Sequence, residues 1–217
     1  MSPGAAAVMA THDEHSRDRL DSSAEKPAMR RDARARRDAI PADVRSAAAH
    51  AAALRADEHV LATLPAGAAI GLYASMRTEL STAPLAAVAA ARGLVIAYPR
   101  TAANHTMVFH RVAVDDAADL ALGRFGIPEP SPDAPVVGLD ELAVIVVPAL
   151  LFDRAGYRLG WGGGWYDATL PHTHALRVGF ALEAQIVDEV PRAPHDEPVH
   201  VVVTDAAIYR GVTPWTR

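Results

Sequence analysis

The sequence predicts an α/β protein with a largely parallel central sheet and helices on both faces. Three observations predict it. Short β-branched runs alternate along the chain with stretches of helical periodicity. One run, residues 142–147 (LAVIVV), is apolar throughout, as expected of a strand covered on both faces. A glycine-rich segment follows that strand closely, where a loop can bring its backbone against a ligand.

The elements follow in order. Residues 1–25 mix small and charged residues without periodicity and read as a disordered leader, leaving 26–217 as a single domain. Residues 28–39 read as a helix, and the arginines within them (Arg30, Arg31, Arg34, Arg36, Arg37) as its solvated face. A second helix spans 42–64, with Val44, Ala47, Ala51, Leu54, Leu61 and Leu64 as its inward stripe. Pro65-Ala66-Gly67 stops it, and 69–74 reads as a buried strand. Ser81 or Thr82 caps a third helix whose inner face is Leu85, Val88, Ala89 and Arg92. Strands are expected at 94–98 (closed by Pro99), 107–112, 142–147, 177–181 and 199–204, with a proline-rich loop over 122–139.

Composition narrows the function. Half of the 217 residues are apolar and 22% are charged, enough for one sizeable core. A net charge of −5 argues against a dedicated nucleic-acid binder. Absence of cysteine excludes disulfide frameworks, thiolate zinc sites and cysteine nucleophiles. The longest strongly apolar run covers 11 residues and contains Pro148, against about 20 for a membrane span. No targeting pattern opens the chain, so a cytoplasmic protein is expected; a monomer is expected as well. The histidines read as surface residues, except His110 and His200, which sit on strands and read as edge or satisfied-core residues.

The segment most informative about chemistry is 153–167, DRAGYRLGWGGGWYD. Gly160, Gly162, Gly163 and Gly164 allow successive N–H groups to converge on an anion, especially beside a helix start near Trp165. Arg158 can form a charge-assisted pair with phosphate, and Asp167 can hold Mg²⁺ at phosphates. The segment is not a P-loop, since Lys-Ser/Thr is missing, and Trp165 stands where the dinucleotide fingerprint needs glycine.

RLGWGGGWYD resembles the glycine segment of the 5-formyltetrahydrofolate cyclo-ligase (methenyltetrahydrofolate synthetase) family. The resemblance continues in order through Lys26 and Arg30, YASMRTE at 73–79, Pro99-Arg100, Met107-Val108-Phe109, GIPEP at 126–130, VVPALLFD, and His195-Asp196 with the strand after it. It implies a three-layer sandwich of the NagB/RpiA/CoA-transferase type. It also implies ATP- and Mg²⁺-dependent closure of 5-formyltetrahydrofolate, with or without a polyglutamate tail, to 5,10-methenyltetrahydrofolate. Carried over by position, Arg158 and Tyr166 are the catalytic candidates. Lys26, Arg30 and the run Arg158, Leu159, Gly160, Trp161, Gly162, Gly163, Gly164, Trp165 and Tyr166 would hold the nucleotide. Glu79, Met107 and Phe125, with Trp161, Gly162, Gly163, Gly164 and Trp165, would face the folate, and Phe109 is a further candidate for the wall. Asp167 and Asp196 would be the metal carboxylates. Gly163 stands where relatives often carry lysine, and Trp161 where a basic residue also occurs. Two other readings fit the same fold class: a sugar-phosphate isomerase or CoA-transferase relative, and a non-catalytic folate- or nucleotide-binding protein.

Overall fold

The computed structural model describes residues 14–103, 105–114, 120–123, 126–213 and 215, with 14–24 described as backbone only. The chain opens with α1 (Glu14–Asp38) and α2 (Ala42–His59), the latter followed by one 3₁₀ turn at Leu61–Thr63. Then come β1 (Ala69–Gly71), α3 (Ala83–Ala91), β2 (Val95–Thr101), β3 (Met107–Arg111), β4 (Ala121–Leu122), β5 (Pro128–Glu129) and β6 (Val136–Val137). The second half holds β7 (Leu142–Val147), β8 (Leu151–Asp153), β9 (Arg158–Leu159), α4 (Trp165–Thr169), β10 (Leu176–Phe180), β11 (Ile186–Val187), β12 (Val201–Val203) and β13 (Ile208–Arg210).

The main sheet has the order β13-β12-β10-β7-β1-β2-β3-β6. Its five inner strands, β12 to β2, run parallel. The flanking strands β13, β3 and β6 pair antiparallel. Within β7, Val144 and Val146 enter one core while Ile145 and Val147 enter the other, so the uninterrupted apolar run serves both faces. Helices α2 and α3 cover the first face. The second face is covered less by helix than expected: α4 is five residues long, and Phe152 of the small sheet β11-β8-β9 fills much of the space. Helix α1 lies outside that small sheet, where Met29 and Ala33 pack near Leu150, Leu151 and Leu159.

Several expectations are corrected. Helix α1 begins at Glu14, inside the segment read as leader, while residues 1–13 lie outside the described residues. Residues 14–26 contain neither glycine nor proline, so the helix propagates from its docked part, and Pro27 removes only one N–H from the ladder. The arginine run is not wholly solvated: Arg31 and Arg36 are exposed, but Arg37 is buried. Helix α2 presents Ala48, Ala49, Ala52, Ala53 and Ala56 to the core, while Val44 and Leu54 are 50% and 65% exposed. The packed face is thus largely opposite the stripe of bigger residues. Alanines permit a close approach to α3 that longer side chains would prevent. In α3, Ala86 rather than Arg92 joins the buried face, and Arg92 pairs with Asp57 at the surface. Strand β2 continues through Pro99, which pairs with Phe109 of β3 beyond the end of β1. A proline is tolerated there because no ladder bond is demanded on the other side.

Two glycines set the sheet's clearance. A Cβ on Gly71 would stand 2.7 Å from Phe109 Cε1, and one on Gly179 would stand 2.7 Å from Phe152 Cε1. Both rings are fully buried. Gly71→Ala is expected to cost about 1–3 kcal/mol by overpacking. Adding Phe109→Leu should recover part of that loss, as read by urea denaturation of the single and double variants.

His200, at the start of β12, accepts a hydrogen bond on Nδ1 from the Arg177 backbone N–H at 2.9 Å. Burial first, and the Arg177 charge second, push its pKa down to about 4. The unfolded chain therefore binds more protons between about pH 6.5 and 4. The stabilising contribution is complete above about 6.5 and is lost as pH falls through 4. His200→Gln keeps an acceptor without titrating. It should lose less stability than the parent between pH 7 and 4.5 in thermal melts.

Candidate functional site

From β1 the chain moves to β2 on one side, whereas β7, β10 and β12 lie on the other, so the strand order reverses at β1. Such a switch point opens a crevice beyond the carboxyl ends of the parallel strands. A cleft of about 1280 Å³ is lined by the segments that follow these ends: Tyr73 and Glu79 after β1, Thr101 at the end of β2, and Pro148 after β7. The glycine segment, Asp196 and the α1 residues Lys26 and Arg30 complete it.

One end of the cleft is ionic. Lys26 Nζ lies 2.7 Å from Asp196 Oδ2, which also accepts from the Ala193 N–H at 2.7 Å. Arg158, almost fully buried on β9, donates to Asp167 Oδ1 at 2.7 Å and to the Glu197 carbonyl. Burial lowers the Arg158 pKa, and the adjacent Asp167 carboxylate opposes that shift. Arg30 Nε donates to the Gly160 carbonyl at 3.0 Å, and its guanidinium would lie 3.4 Å from a Cβ on Gly162. Gly162 and Gly164 have φ of +99° and +69°, a region any side chain would strain. Helix α4 starts directly after Gly164 but spans little more than one turn. Its dipole is correspondingly short, and charge at this end comes mainly from Lys26, Arg30 and Arg158.

The other end is apolar and aromatic. Met107 is buried in its floor, and Trp165 stacks on His105 with ring centroids 4.3 Å apart. Glu79 reaches in from the loop after β1. Its Oε1 accepts from Trp161 Nε1 at 2.7 Å and its Oε2 from the Met76 N–H at 2.9 Å. The Tyr166 hydroxyl is pushed well above its ordinary pKa, by burial first and the Glu79 charge second. At neutral pH it is a donor and not a base.

Asp167 and Asp196 each commit one oxygen to a cation and a backbone N–H. The second oxygen of each accepts no hydrogen bond among the described residues; Asp196 Oδ1 lies 4.0 Å from His195 Nε2. No group of three His, Cys, Asp or Glu side chains among the described residues forms a metal cage. Two carboxylates on the lining of one cleft, each with an oxygen to spare, still suit Mg²⁺, which binds through one or two carboxylates, water and phosphate oxygens.

The structure thus brings the sequence-selected residues to one cleft, with two exceptions. Phe125 lies outside the described residues. Phe109 faces the core beneath Gly71 and does not line the cleft. Sequence reasoning missed His105, Thr101, Glu129 and Arg192 on its lining. Glu129 is buried and accepts from the Thr101 N–H and Oγ1 at 3.1 and 2.9 Å; its place in GIPEP was an available signal. Arg192 is anchored by Asp153 at 3.3 Å and stacks over Tyr157 at 4.1 Å, and nothing in the local sequence announces either contact.

A profile of the 5-formyltetrahydrofolate cyclo-ligase family matches residues 22–205. The 5-formyltetrahydrofolate cyclo-ligase of Escherichia coli (strain K12) is 32% identical over 148 residues, covering 64% of this chain and 79% of its own. That of Haemophilus influenzae is 33% identical over 138 residues, covering 60% and 72%. Among solved structures, Aquifex aeolicus 5,10-methenyltetrahydrofolate synthetase superposes with a TM-score of 0.74 at 26% identity, covering 88% of this chain and 95% of that one. A Mycoplasma pneumoniae 5,10-methenyltetrahydrofolate synthetase shares the fold at 17% identity, with a TM-score of 0.67 over 83% and 98%.

The Arg158–Asp167 pair has a consequence for stability. Asp167→Asn leaves a buried guanidinium with a neutral partner and should cost about 1–3 kcal/mol, at the low side of a broken buried pair because Asp167 is partly solvated. Urea denaturation of the variant against the parent measures it.

Proposed function

This chain belongs to the 5-formyltetrahydrofolate cyclo-ligase family, and we propose that it closes 5-formyltetrahydrofolate to 5,10-methenyltetrahydrofolate at the expense of ATP, releasing ADP and phosphate. The observation that carries this reading is the double character of the cleft. Lys26, Arg30 and Arg158 gather around a glycine loop at one end, and Met107, Trp165 and Glu79 wall the other. Its volume of about 1280 Å³ exceeds the roughly 300–1,000 Å³ of a single small-molecule site. A nucleotide triphosphate and a flat pterin with its aminobenzoyl ring fit these two ends by chemistry as well as by size.

The formyl carbon is a poor electrophile because its nitrogen donates into it. Attack of the formyl oxygen on the γ-phosphorus forms an O–P bond while the bond from phosphorus to ADP breaks. N10 then adds to the activated carbon and loses its proton, and the C–O bond breaks to release phosphate. Little of this needs covalent help from the protein, whose task is positioning and charge stabilisation. Lys26, Arg30 and Arg158 oppose the charge on the phosphate oxygens. Tyr166, held protonated, offers a donor between the two ends. Glu79 accepts from the pterin N–H groups and so orients the formyl oxygen toward the ionic end. Asp167 and Asp196 are the residues that would hold Mg²⁺, which when bound shares the phosphate charge. All reactants are small molecules, and the reading has the chain acting as a cytoplasmic monomer; no helix among the described residues is long and apolar enough to cross a membrane.

Incubation with 5-formyltetrahydrofolate and Mg-ATP should raise the near-ultraviolet absorbance of the methenyl product. A folded chain that forms none under these conditions overturns the reading. Glu79→Gln should raise the KM for the folate by about tenfold and that for ATP by less than about twofold. Lys26→Ala should show the opposite pattern, and initial-rate kinetics on both substrates distinguish the two.

A further inference from the structure

Trp161 sits in the middle of the glycine segment, yet its contacts point away from the loop. The guanidinium carbons of Arg34 and Arg37, one turn apart on α1, stand 4.8 and 5.2 Å from its ring centroid. Arg37 is only 2% exposed. Its Nε donates to Thr78 Oγ1 at 3.2 Å, but its two terminal nitrogens, like Arg34 Nε, are buried without a hydrogen-bond partner. Donors in that state are costly unless another interaction meets their charge. Here the indole face supplies one, and the Glu79 carboxylate supplies another through space. The ring is therefore held from α1 as well as from its own loop.

The opposite edge of that ring meets Glu79. The indole N–H and the Met76 N–H reach different oxygens of the carboxylate, at 2.7 and 2.9 Å. Two donors on two oxygens fix the carboxylate plane and leave each oxygen a further acceptor site. A glutamate side chain without such donors samples several rotamers and presents no fixed pair of acceptors. Trp161 also lines the cleft, so its ring is placed both to touch a ligand and to hold the residue that does.

We infer that Trp161 is a positioning residue for Glu79: pinned by Arg34 and Arg37, its indole N–H holds the carboxylate in the orientation that receives the substrate's N–H donors. The inference rests on the proposed role of Glu79 as the folate contact. It makes the N–H, and not the aromatic face, the functional part of Trp161. It also gives the two α1 arginines a task at the folate end of the cleft, away from the phosphates.

Trp161→Phe keeps an aromatic face for the arginines and removes only the donor. In the full chain it should raise the KM for 5-formyltetrahydrofolate about tenfold while leaving the KM for ATP within about twofold of the parent. In a Glu79→Gln background the same change should add almost nothing, because the group it acts through is already altered. An unchanged folate KM in Trp161→Phe overturns the inference, and so does a full additional effect in the Glu79→Gln background. A second measurement leaves Trp161 unchanged. The ¹⁵N-indole resonance of Trp161 should move when Glu79 is changed to Gln. It should keep its carboxylate-bonded position when 5-formyltetrahydrofolate is added without ATP. Loss of that position on folate binding would show Trp161 displaced from Glu79 and overturn the positioning role. Parent protein that binds the folate but forms no product refutes the proposed reaction instead, and leaves the resonance test in force.

Discussion

Burial of β1 and β7 on both faces is the constraint from which the rest of the molecule follows. A parallel pair cannot be joined by a tight turn, so each connection must cross over and cover a face. Helix α3 makes such a crossing between β1 and β2, with α2 beside it on the same face, and the small sheet with α4 covers the other. The close fit of Gly71 to Phe109 and of Gly179 to Phe152 belongs to the same constraint, since each ring comes so near its strand only because the residue beneath it has no Cβ. Because the strand order reverses at β1, the crossings diverge there. The loops leaving the strand ends surround an opening that no packed side chain fills.

What fills that opening electrically is a set of charges that are already matched. Lys26 is matched by Asp196, Arg158 by Asp167, and Arg37 by Glu79 and an indole face. Pairing of this kind adds little net stability, because desolvation offsets most of the attraction. Its value is geometric. Side chains with many rotamers are held in fixed positions along the cleft, and the cost of ordering them is met on folding.

The sheet and the glycine loop were legible in the sequence because their signals are local. LAVIVV needs both faces covered wherever it sits, and four glycines in five residues announce backbone that must approach something. The packed face of α2 was not legible, because the eye of a periodicity argument goes to Val44 and Leu54, while close helix packing selects alanine. The arginines of α1 misled for a related reason. A run of arginines is ordinarily a solvated face, and only a tryptophan more than a hundred residues away turns Arg37 inward. His105 and Arg192 carry no sequence signal at all. They enter the cleft through a stacking contact with Trp165 and an anchor on Asp153 that exist only once the chain is folded.

The contact between Lys26 and Asp196 spans 170 residues. Helix α1 meets its docking surface only once β8, β9 and the segment leading to β12 are in place, so the first of the described helices docks against elements from the far end of the chain. Closing so long a loop is entropically expensive and becomes favourable only when the core behind it has formed. The ionic end of the cleft is therefore assembled late. A chain that has folded its sheet but not docked α1 would look nearly native by its secondary structure while lacking Lys26 and Arg30 on the cleft wall. A nascent or damaged chain therefore has no half-built cleft: Lys26 and Arg30 join its wall only when the rest of the fold is complete.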